Sequence, residues 1–150
     1  MEDKELTERI IACAFKVHQG LGAGFLEKVY ENALLVELQK CDLRVRQQAP
    51  IAVMYEDQHV GEYFADLLIE DKVICELKAA QTLMPEHEMQ LVNYLTATGI
   101  NTGLLLNFGK SVTVKRKFRE FRKPNMSVAL SSNPVNPEKS CLHCCIVLIL

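Results

Sequence analysis

The sequence lacks any long apolar run, and this absence argues against a membrane-spanning protein. No stretch approaches the roughly 18 apolar residues that a membrane-spanning helix needs, and the closing "IVLIL" is far too short. The first residues, "MEDKELTER", are charged, so no signal peptide is visible. The sequence also contains no internal repeat. We therefore expect a folded cytoplasmic domain that does not associate with a membrane.

The chain has six cysteines, but it lacks the paired spacing of a disulfide framework or a zinc site. Cys13, Cys41 and Cys75 are scattered, which predicts reduced thiols, two of them packed in the core, in a cytosolic protein. The tail contains "CLHCC" at 141–145, but a structural zinc site needs two ligand pairs separated by a loop. Since no second pair exists, we expect no native zinc site.

The net charge of −2 hides an asymmetry along the chain. Residues 1–109 hold nine Lys or Arg and seventeen Asp or Glu, whereas "KSVTVKRKFREFRK" at 110–123 holds seven basic residues and one acid. A basic segment beside an acidic body could contact a polyanion, and Lys115, Arg116 and Lys117 are then the candidates for phosphate contacts. The alternative is a solvated strand or helix at the end of the domain, which this feature alone favours.

The length of 150 residues and a hydrophobic content of 49% predict one folded domain with a sizeable core. Apolar spacing and turn residues predict helices at about 4–19, 25–40 and 85–98. They predict strands at about 44–55 (interrupted or bent at Pro50), 60–69, 73–79 and 102–108, and a short element near 111–121. Short connections make the first three strands an antiparallel meander. The expected organisation is an α/β domain over residues 1–123 and a linker-like, disordered tail over 124–150.

The stretch "DLLIEDKVICELKAAQ", residues 66–81, reads as two apolar strands joined by a charged turn. Side chains alternate along a strand, so Glu76 and Lys78 point to the same face of the second strand. With a three-residue turn centred on Asp71, Asp66 directly faces Glu76 in the antiparallel ladder. A change of one residue in register would separate them. On this register, two carboxylates and one lysine converge in the protein core.

Two carboxylates that lie so close repel each other, and one takes up a proton unless a cation sits between them. Mg²⁺ suits this position because it is a hard ion that takes oxygen ligands and keeps water molecules. Lys78 can then orient a metal-bound water or offset the charge of a phosphate. The alternative is a structural ion pair between Lys78 and one of the acids, although buried pairs of this kind contribute little to stability.

Two predicted helices carry further candidates. Glu27 and Glu31 are four residues apart and therefore neighbours on one helix face, which Leu34 and Leu38 continue and which we expect to turn inward. On the third helix, Gln90 and Tyr94 share a face, and Gln90 can hold a phosphate or a ligand carboxylate. Taken singly, a helical glutamate pair is usually solvated, a glutamine is usually surface, and a tyrosine is usually core.

Several motifs in order resemble one known family. "GFLEKVY", with Gly24, Glu27 and Tyr30, is similar to the motif that names the GxxExxY protein family of bacteria and archaea. The resemblance continues through "GEYFADLLIEDKVICELKA", "EHEMQLVNYLTATG" and "TGLLLNF", and it covers roughly residues 5–120. That family is assigned to the PD-(D/E)XK nuclease-like superfamily. The resemblance implies a restriction-endonuclease-like αβββαβ core, in which helices flank a mixed sheet and a metal site lies on the central strands.

The resemblance also implies roles for the candidate residues. Asp66 corresponds to the first acid of the motif, although Ala65 stands where the motif has proline, and Glu76 and Lys78 form its E-x-K. In many members a glutamate from a helix also binds the metal, and Glu27 or Glu31 corresponds to it. Gln90 and Tyr94 match the "QxxxY" helix of the exonuclease-like branch.

These observations favour a Mg²⁺- or Mn²⁺-dependent nuclease that hydrolyses DNA or RNA. One alternative is a non-catalytic module on an inactive nuclease scaffold that binds nucleic acid or protein, and the acidic body of the chain supports it. Another alternative is a metal-dependent hydrolase of small nucleotides, for which an acidic surface is a smaller handicap. A protein partner or a homo-oligomer is left open by the sequence.

Overall fold

A computed structural model describes residues 3–120 of the chain. It contains, in chain order, α1 (Lys4–Leu21), α2 (Glu27–Lys40), β1 (Val45–Tyr55), β2 (Gln58–Ile69), β3 (Val73–Lys78), α3 (Pro85–Thr98), β4 (Thr102–Phe108) and β5 (Val112–Phe118). The predicted αβββαβ order is therefore present, with α1 in front of it and β5 behind it. The predicted boundaries hold to within about two residues, and the short element near 111–121 is a strand.

The five strands form one mixed sheet in the order β1-β2-β3-β4-β5. The pair β3–β4 is parallel and the other neighbouring pairs are antiparallel, so the predicted antiparallel meander of the first three strands is confirmed. A crossover through α3 connects the two parallel strands, as parallel pairing requires. The prediction of an α/β domain whose mixed sheet is flanked by helices is correct.

The sheet has a separate hydrophobic core on each face. On one face, α1 and α2 pack against β3 and β4, and Tyr30, Leu34 and Leu38 of α2 are fully buried there. On the other face, α3 packs through Leu91 and Leu95. Since both faces are covered, β4 is buried along its whole length, which explains the continuous apolar run "TGLLLNF".

The predicted interruption at Pro50 is wrong, because β1 continues through the proline. Pro50 lies within β1 and pairs with Phe64, and the strand is irregular instead at Gln48, where φ is 51°, and between Val53 and Met54. β1 is an edge strand, in which a proline is tolerated because its missing N–H can face solvent. The irregularity therefore lies two residues earlier than predicted, beside the residues that form the candidate site below.

The sheet and its helices form one compact unit, Met1–Glu120. The predicted disordered tail and its "CLHCC" stretch lie outside the described residues. Cys13, Cys41 and Cys75 are free thiols, and Cys13 and Cys75 are buried as predicted. The Sγ atoms of Cys13 and Cys41 are 3.7 Å apart, a proximity that their spacing of 28 residues does not indicate. None of the helices in residues 3–120 is long and apolar enough to cross a membrane.

Two glycine-to-alanine substitutions should change stability in opposite directions. A Cβ at Gly103 of β4 would lie 2.8 Å from Cδ1 of the buried Leu91, so Gly103→Ala should lower the free energy of unfolding by about 1–3 kcal/mol. A Cβ at Gly20, in the last turn of α1, meets no atom within 4 Å, so Gly20→Ala should raise the free energy of unfolding by about 0.5–1 kcal/mol. Urea unfolding of both variants tests the packing of α3 on the sheet, and equal stabilities would contradict it.

Candidate active site

The candidate site lies where β2 and β3 separate. The two strands pair from Ile69↔Val73 to Leu67↔Cys75, which is the register that the sequence predicts for Asp66 and Glu76. At the next position the backbone N–H groups donate to side-chain carboxylates instead of to carbonyls of the neighbouring strand. The N–H of Leu77 donates to Oδ2 of Asp66 at 2.7 Å, and the N–H of Asp66 donates to Oε1 of Glu76 at 3.2 Å. The two predicted carboxylates are therefore brought together.

The electrostatics of this pair are unfavourable. Glu76 is only 3% exposed, and burial together with the nearby charge of Asp66 raises the pKa of its carboxyl to about 8. Burial also raises the pKa of Asp66, although the hydrogen bond from the N–H of Leu77 partly offsets this. Both shifts favour the neutral acid. The fold thus holds two carboxyl groups where ionising both costs free energy.

Lys78 and Glu27 lie beside the pair. The alternation of β3 places Lys78 on the same sheet face as Glu76, as predicted. Its Nζ is 3.8 Å from Oε1 of Glu27, a residue in the first turn of α2. Burial raises the pKa of Glu27, and the charge of Lys78 opposes this while that of Asp66 adds to it. Glu27 therefore belongs to the same charge cluster, and its side chain remains 43% exposed.

Glu31 is the second helix glutamate, and its environment differs from that of Glu27. It is 3% exposed, which confirms that this face of α2 turns inward. Its Oε1 accepts hydrogen bonds from Lys28 Nζ at 2.7 Å, Gln47 Nε2 at 2.7 Å and Gln48 Nε2 at 3.0 Å. The amide of Gln48 also reaches Oδ1 of Asp66 at 3.4 Å. Glu31 is thus linked to the carboxylate pair through an amide.

Gln90 and Tyr94 of α3 form a pair on the sheet face to which Glu76 also points, since Glu76 pairs with Leu105 of the α3-side core. Nε2 of Gln90 donates to the hydroxyl of Tyr94 at 2.5 Å. Burial raises the pKa of Tyr94, and the charges of Glu76 and Asp66 contribute to the shift, so this hydroxyl lies within electrostatic range of the carboxylates. The ring of Tyr63 packs against Tyr94 with centroids 5.6 Å apart.

The basic residues of β5 are engaged within the domain. Lys115 Nζ is 3.5 Å from Oε1 of Glu88, and Lys117 forms an ion pair with the other oxygen of the same carboxylate. Lys115 pairs with Leu105 of β4, and Leu105 in turn pairs with Glu76 of β3. Lys115 therefore lies level with Glu76 across the sheet but two strands, about 10 Å, away from it. Arg116 points to the opposite face of the strand. The structure therefore does not bring the three basic residues together with the carboxylates.

The donor set fits a magnesium ion, although it is not a preformed cage. Within residues 3–120, no three or more His, Cys, Asp or Glu side chains are arranged closely enough to hold a metal ion. Mg²⁺ commonly uses only one or two protein carboxylates and fills its other positions with water and substrate phosphates. Asp66 and Glu76 supply two such carboxylates, and a cation between them would relieve the repulsion and the cost of burial that raise their pKa values.

Three residues of the site were not predicted from the sequence. Gln47 and Gln48 reach Glu31 because β1 is irregular at Gln48, and a positive φ at a glutamine has no clear sequence signal. Tyr63 contacts Tyr94 across 31 residues of chain, and it is 51% exposed. Tyr63 lies only three residues before Asp66 in the sequence, so its position was a signal. Nothing in the sequence, however, indicates towards which element its ring points.

Comparison with known proteins bears on the family and the fold. The sequence profile of the PD-(D/E)XK nuclease superfamily matches residues 4–121. The crystal structure of SSO0001 is similar at 16% identity with a TM-score of 0.50, covering 80% of this chain but only 61% of that chain. The crystal structure of the alkaline exonuclease LHK-Exo from Laribacter hongkongensis is 14% identical with a TM-score of 0.48, covering 81% and 72% of the two chains. At these identities the likeness to SSO0001 concerns the fold alone. No curated protein sequence matches.

Glu76→Gln should stabilise the protein when metal is absent. The raised pKa means that folding opposes ionisation of Glu76, so its ionisation lowers the stability of the wild type as pH rises from about 4.5 to about 8. Glutamine stays neutral and keeps an oxygen that can accept the N–H of Asp66. In EDTA we expect a Tm at least about 5 °C above wild type at pH 8 and a much smaller difference at pH 5.

The control for this experiment is Glu62→Gln, which removes an exposed carboxylate from β2. Its Tm should follow that of the wild type at both pH values. A Glu76→Gln protein that is no more stable than wild type at pH 8 would contradict the cost that burial and the charge of Asp66 impose on the ionised Glu76.

Proposed function

The chain belongs to the PD-(D/E)XK nuclease superfamily, and on that basis we propose that it is a nuclease that hydrolyses phosphodiester bonds of DNA or RNA with Mg²⁺ or Mn²⁺. The observation that carries the proposal is the pair of the half-buried Asp66 and the buried Glu76 beside Lys78. Such a pair costs free energy in the folded protein. A divalent cation between the two carboxylates would offset this cost, and the cation together with Lys78 would attract a phosphate.

Asp66 and Glu76 would hold the metal ion. When bound, the ion would polarise the scissile phosphate and lower the pKa of an attacking water. Glu27 suits the position of a third acidic ligand better than Glu31, because Glu27 is partly exposed while Oε1 of Glu31 already accepts three hydrogen bonds. Glu31 would instead orient Gln48, whose amide reaches Asp66.

Lys78 would position the attacking water and stabilise the charge that develops on the phosphate. Its ammonium group is within 4 Å of Glu27 and its side chain is 20% exposed, so it is held near the carboxylates and is still accessible. Gln90 would donate to a backbone phosphate, with its amide aligned by the hydroxyl of Tyr94. Lys115 and Lys117 would contact flanking phosphates, which requires their ammonium groups to leave Glu88 and bind the nucleic acid instead. Arg116 points to the opposite face of β5 and would not share these contacts.

Within the superfamily, we propose that the chain is a member of the prokaryotic, cytoplasmic GxxExxY group. The three residues of that motif have distinct physical roles in the fold. Gly24 adopts a φ of 103°, which a residue with a side chain rarely does, Glu27 lies in the charge cluster, and the hydroxyl of Tyr30 donates to the carbonyl of Gly22 at 2.6 Å. The motif would thus shape the loop that presents Glu27 to the site.

A non-catalytic module that binds nucleic acid or protein is the second candidate. The observation in its favour is the surface charge, because residues 1–109 carry an excess of eight acids and Glu88 engages two of the basic residues of β5. Such a surface is poor at grasping a polyanion through phosphate contacts alone. Dependence of any cleavage on both metal and Glu76 separates the two candidates.

The test is cleavage of end-labelled single- and double-stranded DNA and RNA in Mg²⁺, Mn²⁺ or EDTA. Glu76→Gln and Lys78→Ala should each lower the metal-dependent rate by at least about 100-fold, because they remove a ligand and the group that positions water. Lys72→Ala is the matched control, since Lys72 is an exposed lysine one residue before β3. It should cleave like the wild type.

Cleavage that survives Glu76→Gln would show that another centre carries the activity. If all four folded proteins leave every substrate intact in Mg²⁺ and Mn²⁺, the nuclease proposal fails and the non-catalytic module replaces it.

A further inference from the structure

A cavity of about 680 Å³ opens at the carboxyl ends of β3 and β4, beside the carboxylate cluster. Three connecting segments line it, residues 23–26, 79–81 and 108–110. Ala79 directly follows Lys78, and Leu26 directly precedes Glu27, so the walls of the cavity continue into the site. Its volume is in the range of small-molecule binding pockets, and ligands commonly bind at the carboxyl ends of parallel strands.

The first wall is held in place by the core of the domain. The hydroxyl of Tyr30, a fully buried residue, donates to the carbonyl of Gly22 at 2.6 Å and accepts the N–H of Phe25 at 3.3 Å. The rings of Phe25 and Tyr30 meet edge to face with centroids 6.2 Å apart, and Tyr30 stacks on Phe108 at 4.7 Å. The loop between α1 and α2 is therefore fixed relative to β4.

The other two walls are also fixed by side chains. Asn107, which is 3% exposed, accepts the N–H of Ala80 and donates to its carbonyl, both at 2.9 Å. Nε2 of His18 lies 3.0 Å from the carbonyl of Gly109. Each of the three segments thus has a hydrogen bond from a residue of a helix or strand, so the cavity is organised before any ligand enters it.

The lining of the cavity indicates the chemistry of its ligand. Phe25 is 47% exposed and Leu26 is 78% exposed, and both present apolar surface at its edge. Lys110 and Gln81 line it as well and supply a cation and an amide. A flat, apolar ring with hydrogen-bonding edges and an attached phosphate matches such a lining.

We propose that this cavity binds the nucleobase of the nucleotide that adjoins the cleaved phosphodiester, with Phe25 and Leu26 against the base and Lys110 near a phosphate. The inference rests on the proposed nuclease function and adds a subsite to it. The acidic body of the chain supports it, because contacts between a base and an aromatic ring do not depend on positive surface charge. A base held in this way must be unpaired, so the substrate is a single strand or a frayed end.

The sequence contains no tryptophan, so Phe25→Trp places a single fluorescent reporter at the cavity. Titration with AMP and dAMP should quench its fluorescence saturably, because a stacked base quenches indole. Deoxyribose 5-phosphate, which lacks the base, should not. Phe15→Trp is the matched control, since Phe15 on α1 is 46% exposed and does not line the cavity.

A second variant links the cavity to catalysis. Leu26→Ala removes an exposed side chain, so the fold should be unaffected, and it should raise KM for a single-stranded oligonucleotide about tenfold with little change in kcat. Val60→Ala, at an exposed residue of β2, is its control.

The outcomes separate this inference from the proposed function. Metal-dependent cleavage without saturable quenching of Phe25→Trp, or with an unchanged KM in Leu26→Ala, would overturn the base subsite and leave the nuclease standing. Saturable quenching by nucleotides without any cleavage would support the cavity as a nucleotide site and remove the nuclease. Equal quenching of Phe15→Trp would show that the effect is not specific to the cavity and would overturn the inference.

Discussion

The close approach of the two carboxyl groups of Asp66 and Glu76 is the constraint on which the rest of the structure depends. The sheet brings them together by a register that continues from Leu67↔Cys75, and the backbone N–H groups of Asp66 and Leu77 hold the two side chains. Burial makes their ionisation unfavourable. A fold selected for stability alone would place apolar residues here, so the arrangement indicates a ligand that compensates the charge.

The surrounding elements follow from that constraint. β3 and β4 are covered on both faces, which leaves Glu76 only 3% exposed to water. α2 brings Glu27 to Lys78 and fastens Glu31 to the irregular part of β1. The buried hydroxyl of Tyr30 ties the loop before α2 to the same core, so one helix supports both the charge cluster and the wall of the neighbouring cavity.

The order of elements, the mixed sheet and the convergence of Asp66, Glu76 and Lys78 could be predicted from the sequence because they depend on local rules. Strand alternation and a short turn are enough to place those three residues. The contacts of Gln48 and Tyr63 could not be predicted, because they depend on a strand irregularity and on packing between distant segments. The ion pairs of Glu88 with Lys115 and Lys117 likewise arise because α3 packs beside β5. The periodicity of apolar residues along the sequence does not predict such packing between elements.

Direct titration of Mn²⁺ into the metal-free protein, followed by calorimetry, tests the central claim most directly. The wild type should bind Mn²⁺ with a saturating heat, and Asp66→Asn should weaken the binding at least about tenfold, because it replaces one ligand with a neutral amide while keeping a similar shape. Glu62→Gln should bind like the wild type. If Asp66→Asn binds Mn²⁺ as tightly as the wild type does, the carboxylate pair of Asp66 and Glu76 is not a metal site.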